Sequence, residues 1–459
     1  MPFPDHLLDR AASHARAYLA TVDDRPVRQS ATPSELRAML GAPLGAEGDD
    51  PARVLDLLAE AARIGSVATQ GPRFFGFVIG GSVPVATAAD WLVSAWDQNG
   101  GVHVLSPLVA VAEQVASGWV KDVLGLGAEW SAGFVTGGQM ANFTGLAAGR
   151  HHVLKAAGWD VEADGLQGAP PVEVIVGDEA HYTIFNALRL LGLGSRRVRR
   201  VSIDAQGRMD PAHLARVLRE TSGPCLVCAQ AGNVNTGAFD PLPEITAAAR
   251  ERGAWVHVDG AFGLWAAASP GLRHLVAGIE HADSLATDAH KWLNVPYDCG
   301  IALSAHQASH RAAMTQSAAY IMDSPLERDP HEFVPEESRR ARVIPLYAAM
   351  RTLGTDGLRA LVERCCALAR RFADGLRQAG YEVLNDVVLN QVMVDFGGAD
   401  VTRTVIGAVQ DDGTCWAGGT TYQGRVAMRI SVSSYKTTEA DVDRSLAAML
   451  RCAQAARSA

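Results

Sequence analysis

The segment Ser284-Leu-Ala-Thr-Asp288-Ala-His290-Lys291-Trp-Leu-Asn-Val-Pro296 places a lysine between a histidine and a tryptophan, just past an apolar stretch. A lysine in a partly desolvated pocket has a lowered pKa and can act as an amine nucleophile. Carbonyl compounds, pyridoxal 5′-phosphate among them, are captured this way as Schiff bases. A second segment, Trp255-Val-His-Val-Asp259-Gly-Ala261-Phe-Gly263, puts a carboxylate where an apolar strand ends, with small residues directly after it. A flat group can lie against the backbone there. A carboxylate beside it can keep a pyridine nitrogen protonated, so that the ring accepts electrons. The two residues are 32 positions apart, room for one crossover connection to a neighbouring strand.

Two more segments complete the set. Phe134-Val-Thr136-Gly137-Gly138-Gln139-Met-Ala-Asn142 leads into a helical pattern. Paired glycines before a helix free backbone N–H groups, and the helix dipole favours an anion such as phosphate. The segment lacks the Gly-Lys-Ser/Thr ending of a Walker loop and is not a G-x-G-x-x-G turn. Gly177-Asp-Glu-Ala-His181-Tyr-Thr183 follows an apolar strand and offers an imidazole that could stack on a planar group or donate a proton. Taken singly, each feature has a commoner explanation. Long basic side chains snorkel at surfaces, a strand-end Asp caps helices, glycine pairs make turns, and a histidine can simply start a helix. Their joint occurrence is what carries the chemical reading.

The elements that must position these residues alternate. Strands are expected at 172–176, 200–203, 225–229, 255–258 and 300–303. Helices are expected at 140–156, 183–193, 211–220 and 242–252. Strands separated by helices imply crossover units, an α/β class and a mainly parallel sheet, with ligands at the carboxyl ends of the strands. Before this region, residues 1–70 read as an arm of short helices interrupted by prolines, with Thr32-Pro-Ser-Glu35 resembling a helix start. The central unit is expected over 71–344. A smaller α+β domain is expected over 345–459, with a long helix to Leu376, strands at 381–384, 391–396 and 426–432, and a final helix over 439–455.

Composition bounds the alternatives. The 459 residues carry 41 Lys and Arg against 50 Asp and Glu, a net charge of −9, which disfavours electrostatic binding of nucleic acid. The basic run Arg196-Arg197-Val198-Arg199-Arg200 reads as a solvated turn entering a strand. Apolar residues at 48% and charged residues at 20% suit a globular protein, and no window approaches the roughly 18 apolar residues of a membrane span. No signal peptide is expected from the first residues. The seven cysteines are scattered, and Cys225-Leu-Val-Cys228 lies inside an apolar run, so buried thiols, no metal site and a reducing cytoplasm are expected. Glycine is unusually clustered, with 45 in all; the cluster from Gly232 to Gly237 has no evident role.

In this order, G-G-x-x-A-N, E-A-H, H-V-D-G-A and D-A-H-K-W resemble the group II pyridoxal-phosphate-dependent amino-acid decarboxylases, which include the aromatic L-amino-acid, histidine, glutamate and 2,4-diaminobutyrate enzymes. The resemblance runs from about Pro72 to the C-terminus and includes Arg73-Phe-Phe-Gly-Phe77, Ser338-Arg-Arg-Ala-Arg342 and Val426–Ser431. It implies an aspartate-aminotransferase-like large domain (fold type I) and pyridoxal 5′-phosphate as cofactor. Lys291 resembles the Schiff-base lysine, Asp259 the partner of the pyridine nitrogen, Ala261 the small residue under the ring and His181 the ring-stacking histidine. Thr136, Gly137, Gly138 and Gln139 would form the phosphate loop, with Gln139 where the family has serine or threonine. Asp288 stands where many members have asparagine, and His290 would lie beside the Schiff base. Tyr320 matches a tyrosine that protonates the substrate carbon in the aromatic decarboxylases and is phenylalanine in related aldehyde synthases. Phe75, Phe77 and Val78 sit where the family's substrate-side residues come from, leaning towards an aromatic or apolar amino acid, with an acidic or diaminobutyrate-like one left open. The family's arm wraps a partner subunit, so a homodimer is expected. A related lyase or aldehyde synthase and a non-catalytic cofactor-binding protein are the alternatives. A nicotinamide oxidoreductase would need a glycine-rich turn that the sequence lacks.

Overall fold

The computed structural model describes residues 5–315 and 328–458. They form two compact units: residues 80–370 with 385–392, and residues 1–79 with 371–384 and 393–459. This division differs from the expected one. Residues 345–370 group with the larger unit, and residues 1–70 group with C-terminal residues instead of standing alone.

The larger unit is built on seven strands: β1 (Ser131–Val135), β2 (Glu173–Gly177), β3 (Arg199–Val201), β4 (Cys225–Gln230), β5 (Trp255–Asp259), β6 (Ser284–Asp288) and β7 (Gly300–Ser304). Their order in the sheet is β1-β7-β6-β5-β4-β2-β3. The pairs β2/β3, β2/β4, β4/β5 and β5/β6 are parallel. β7 runs antiparallel to both β6 and β1. The mainly parallel α/β sheet is therefore present, and β1 and β6, which the strand expectations omitted, complete it. β1, β4, β5, β6 and β7 are buried along their whole length, which is why β4, β5 and β7 read as apolar stretches without alternation.

The helices follow their caps and periodicity. Pro211–Glu220 and Leu242–Arg252 coincide with the expected spans. Asp210 caps the first through its side chain, and Gly253 ends the second in a left-handed conformation. Gly138–Ala156 begins where the paired glycines stand and packs on the sheet.

The smaller unit carries a four-stranded sheet of β8 (Glu382–Val383), β9 (Gln391–Asp395), β10 (Gly418–Tyr422) and β11 (Arg425–Ser431), in the order β10-β11-β9-β8. β10 and the helix Ala399–Asp412 were not anticipated. The first helices are Asp5–Thr21, Pro33–Leu40 and Pro51–Gly65, and Thr32 with Glu35 forms a full capping box.

The basic run 196–200 enters β3, with Arg199 paired to Glu220 and Arg200 over the Phe185 ring. Cys225 and Cys228 are buried in β4, and burial pushes both thiols up, Cys225 to about 11. Neither is poised as a thiolate, so the C-x-x-C spacing here is packing. Among the described residues no helix is long and apolar enough to cross a membrane.

Candidate active site

Asp259 is the last residue of β5 and is 5% exposed. A buried ionised carboxylate needs donors. Asn142 Nδ2 donates to Oδ2 at 3.0 Å, and the Ala261 N–H donates to Oδ1 at 3.2 Å. This aspartate therefore caps its own turn and faces Asn142; it does not start a helix.

Lys291 lies in the connection from β6 to β7, three residues after Asp288 ends β6. Its Nζ is 2.9 Å from Asp288 Oδ2, and Asp288 itself is 1% exposed. His290 lies alongside, with Nε2 3.4 Å from Asp288 Oδ1. The Cys299 N–H donates to His290 Nδ1 at 3.1 Å, so the neutral ring carries its proton on Nε2. Burial holds His290 below the ordinary histidine range. Asp288 thus stands as the partner of the lysine; its carboxylate supplies no donor.

His181 precedes the helix Tyr182–Leu190 and makes no side-chain cap. Its Nδ1 is 2.7 Å from Thr183 Oγ1. Gln230 at the end of β4 donates through Nε2 to the Glu179 carbonyl at 3.0 Å, tying down the turn that presents His181. His181, Gln230, Gly232, Val234, Asp259, Ala261, Phe262 and Lys291 line one cavity. It opens at the carboxyl ends of β4, β5 and β6, where parallel sheets place their ligands.

Gly137 and Gly138 start the helix Gly138–Ala156. A Cβ on Gly138 would lie 2.7 Å from Asp288 Oδ2, and one on Gly137 would lie 3.0 Å from His290 Cε1. Only glycine lets this turn approach the lysine segment so closely. Thr136 joins β1 to the turn, and Gln139 Oε1 accepts from Asn186 Nδ2 at 3.3 Å. Gly232, whose role was not legible in the sequence, has φ +97°, and a Cβ on it would stand 2.9 Å from Gly263 Cα. It lets the loop after β4 touch the loop after β5 at the edge of the cavity.

In the smaller unit Phe77 is 62% exposed and its ring stacks on Trp416 at 5.4 Å, while Val78 is 1% exposed. Of this pair only Phe77 presents a surface. Both have left-handed backbones, φ +53° and +63°. Tyr320 lies outside the described residues. The residues missed in the sequence are Asn142, Thr183 and His257; the motifs contained all three, but nothing in one dimension shows that they meet.

The family model described as the pyridoxal-dependent decarboxylase conserved domain matches residues 33–396. The chain belongs to this family. Cysteine sulfinic acid decarboxylase of Homo sapiens is 28% identical over 366 residues, covering 77% of this chain and 72% of the relative. Aromatic-L-amino-acid decarboxylase of Bacillus atrophaeus is 28% identical over 389 residues, covering 83% and 79%. The crystal structure of Oryza sativa TDC with PLP and tryptamine superposes with a TM-score of 0.92 at 23% identity, covering 99% of each chain. That likeness carries the fold, which is the fold type I α/β architecture. The protein is a pyridoxal-phosphate-dependent carboxy-lyase.

The cavity fits that cofactor. A buried carboxylate with fixed donors, a small residue at Ala261, an imidazole and an amine line one cleft, the donor set a pyridine ring bound through a lysine would need. The glycine turn at the start of a 19-residue helix has free N–H groups of the kind that would suit a phosphate.

Proposed function

We propose that this chain removes the α-carboxylate of an L-amino acid with an aromatic or apolar side chain, giving the amine and CO2. The observation that carries the reading is the meeting of His181, Asp259, Ala261 and Lys291 around one cavity. Pyridoxal phosphate, when bound, supplies the electron sink for the breaking bond. Lys291 is the anchoring amine. Asp259 holds a proton on the ring nitrogen, and Ala261 leaves room beneath the ring. His181 packs over it. Thr136, Gly137, Gly138 and Gln139 receive the phosphate, with His290 and Asp288 fixing the lysine segment. Tyr320 returns a proton to the α-carbon after CO2 leaves, which favours amine over aldehyde.

The aromatic or apolar preference rests on Phe77, whose exposed ring is presented by two consecutive left-handed residues. Such strain costs about 1–2 kcal/mol per residue and persists where a segment has a task. A homodimer is supported by the apolar faces of two helices of the larger unit. Leu108, Val111 and Val115 are exposed on Pro107–Leu124, and Trp91, Leu92 and Trp96 on Pro84–Trp96. The arm of helices before residue 70 fits the same role, since Asp5–Thr21 and Pro33–Leu40 contain no buried residue. A cytoplasmic location accords with seven free cysteines.

The test is a CO2-release screen of the holoenzyme over the amino acids, with products identified by mass. Release from aromatic or apolar amino acids with the matching amine is expected. Release only from acidic amino acids overturns the substrate preference, and release from none overturns the activity.

A further inference from the structure

The helix Gly138–Ala156 presents Asn142, Gly145 and Gly149 on one face, at the spacing that brings side chains into line. A Cβ on Gly145 would lie 2.8 Å from the His257 ring, and one on Gly149 would lie 2.8 Å from the Trp255 ring. The glycines therefore let the helix settle onto the side chains of β5. Asn142, beside them, reaches Asp259.

The contacts that result form an unbroken chain. Trp255 Nε1 is 2.9 Å from Ser284 Oγ, Ser284 Oγ is 2.8 Å from His257 Nδ1, and His257 Nε2 is 2.9 Å from Asn142 Oδ1. Asn142 Nδ2 is 3.0 Å from Asp259 Oδ2 and 3.2 Å from Thr183 Oγ1. Thr183 Oγ1 is 2.7 Å from His181 Nδ1. Every member of the chain except His181 is buried, with His257 and Ser284 fully so.

Its direction is set from both ends. An indole N–H only donates and a carboxylate only accepts. The Asn142 amide must therefore turn its NH2 to Asp259, and its second hydrogen meets Thr183. Asn142 Oδ1 then faces His257, whose Nε2 must donate. Burial pushes His257 down to about 4, so it is neutral at working pH and its Nδ1 accepts from the Ser284 hydroxyl. Ser284 in turn accepts from Trp255; among the described residues the other acceptor near its hydroxyl is the Gly145 carbonyl, at a long 3.4 Å. Thr183 accepts from Asn142, and its hydroxyl meets His181 Nδ1 at 2.7 Å, so the proton between them is shared across this contact.

We propose that Asn142, aligned by His257, Ser284 and Trp255 and coupled through Thr183, is a positioning residue that sets the orientation of the Asp259 carboxylate and the proton-bearing nitrogen of His181 together. This rests on the reading of Asp259 and His181 as ring-contacting residues. One buried amide links the group holding the ring nitrogen to the group packed over the ring face.

His257→Gln and His257→Asn separate direction from mere polarity. Gln can place a donor where Nε2 stands, whereas Asn reaches only the Nδ1 position. The holoenzyme of each is measured for cofactor dissociation and for the visible circular dichroism of the bound cofactor, and each apoprotein for its melting temperature. His257→Gln should stay close to wild type in both cofactor readouts. His257→Asn should release the cofactor about tenfold or more readily, the worth of a hydrogen bond to a charged group, and lose circular dichroism. Equal behaviour of the two variants, or cofactor affinity that merely follows melting temperature, overturns the proposal.

Thr183→Val tests the second branch with little change of shape. Losing this hydrogen bond should weaken the visible circular dichroism of the bound cofactor, and Thr183→Ser should restore it. Unchanged circular dichroism in Thr183→Val overturns that branch. If Lys291→Ala keeps the wild-type cofactor spectrum, the underlying assignment falls and this proposal with it. If Lys291→Ala loses that spectrum while both His257 variants match wild type, the relay alone falls.

Discussion

The Lys291 ammonium lies 2.9 Å from the Asp288 carboxylate, and the two differ in burial: Asp288 is 1% exposed, the lysine side chain 21%. The acid is thus the member that depends on the pair. Removing a partner from a buried charge costs more than the pair contributes. Lys291→Ala should therefore lower the stability of the apoprotein by about 1–3 kcal/mol, discounted for the partly wet lysine. Adding Asp288→Asn should recover most of that loss. Urea denaturation of the wild type, the two single variants and the double variant measures the coupling; additive effects would contradict it.

His310 is fully buried, with Nε2 donating to the Phe333 carbonyl at 2.9 Å and Nδ1 2.9 Å from Ser131 Oγ. Burial, reinforced by Arg328, pushes it down to about 4. A histidine that stays neutral when folded binds a proton more readily when unfolded. Its contribution is full above the ordinary histidine pKa near 6.5 and is lost as pH falls towards 4. Between pH 7.5 and pH 5 that loss is about 2 kcal/mol. His310→Gln should remove it, so the variant should lose less stability on acidification than wild type. Equal losses in denaturant melts at the two pH values would contradict the assignment.

The exposed row Leu108, Val111 and Val115 lies on one face of the helix Pro107–Leu124. Covering such a row by a second copy removes it from water at about 25 cal/mol per Å². In the proposed homodimer, Val111→Lys should therefore favour monomer in sedimentation velocity while leaving the circular dichroism unchanged. A dimer of wild-type affinity in that variant would move the interface elsewhere.

Tyr320 decides the fate of the α-carbon in the proposed chemistry. Tyr320→Phe should reduce amine formation and give aldehyde, read by mass from the same amino acid. Wild-type amine output would show that another group delivers the proton.

The sequence made the strand–helix alternation legible because most of the expected strands are apolar runs and helices such as Pro211–Glu220 carry a cap and periodicity. That Asp259, His181 and Lys291 would come near one another was legible because Asp259 ends a strand and the other two closely follow one, and strand ends converge in a parallel sheet. Other features depend on register. β7 turns antiparallel after the lysine connection, which an apolar run cannot announce. His257 and Asn142 meet only because Gly145 and Gly149 let one helix face sink onto β5, and Gly232 has a task only once Gly263 is beside it. The grouping of residues 1–70 with C-terminal residues is likewise a matter of long-range packing.

The most direct test compares wild-type holoenzyme with Lys291→Ala, following the visible absorbance of the bound cofactor and the release of labelled CO2 from a carboxyl-labelled amino-acid substrate. The account predicts that Lys291→Ala loses both the lysine-bound absorbance and turnover. An unchanged visible spectrum, or undiminished CO2 release, in Lys291→Ala would contradict it.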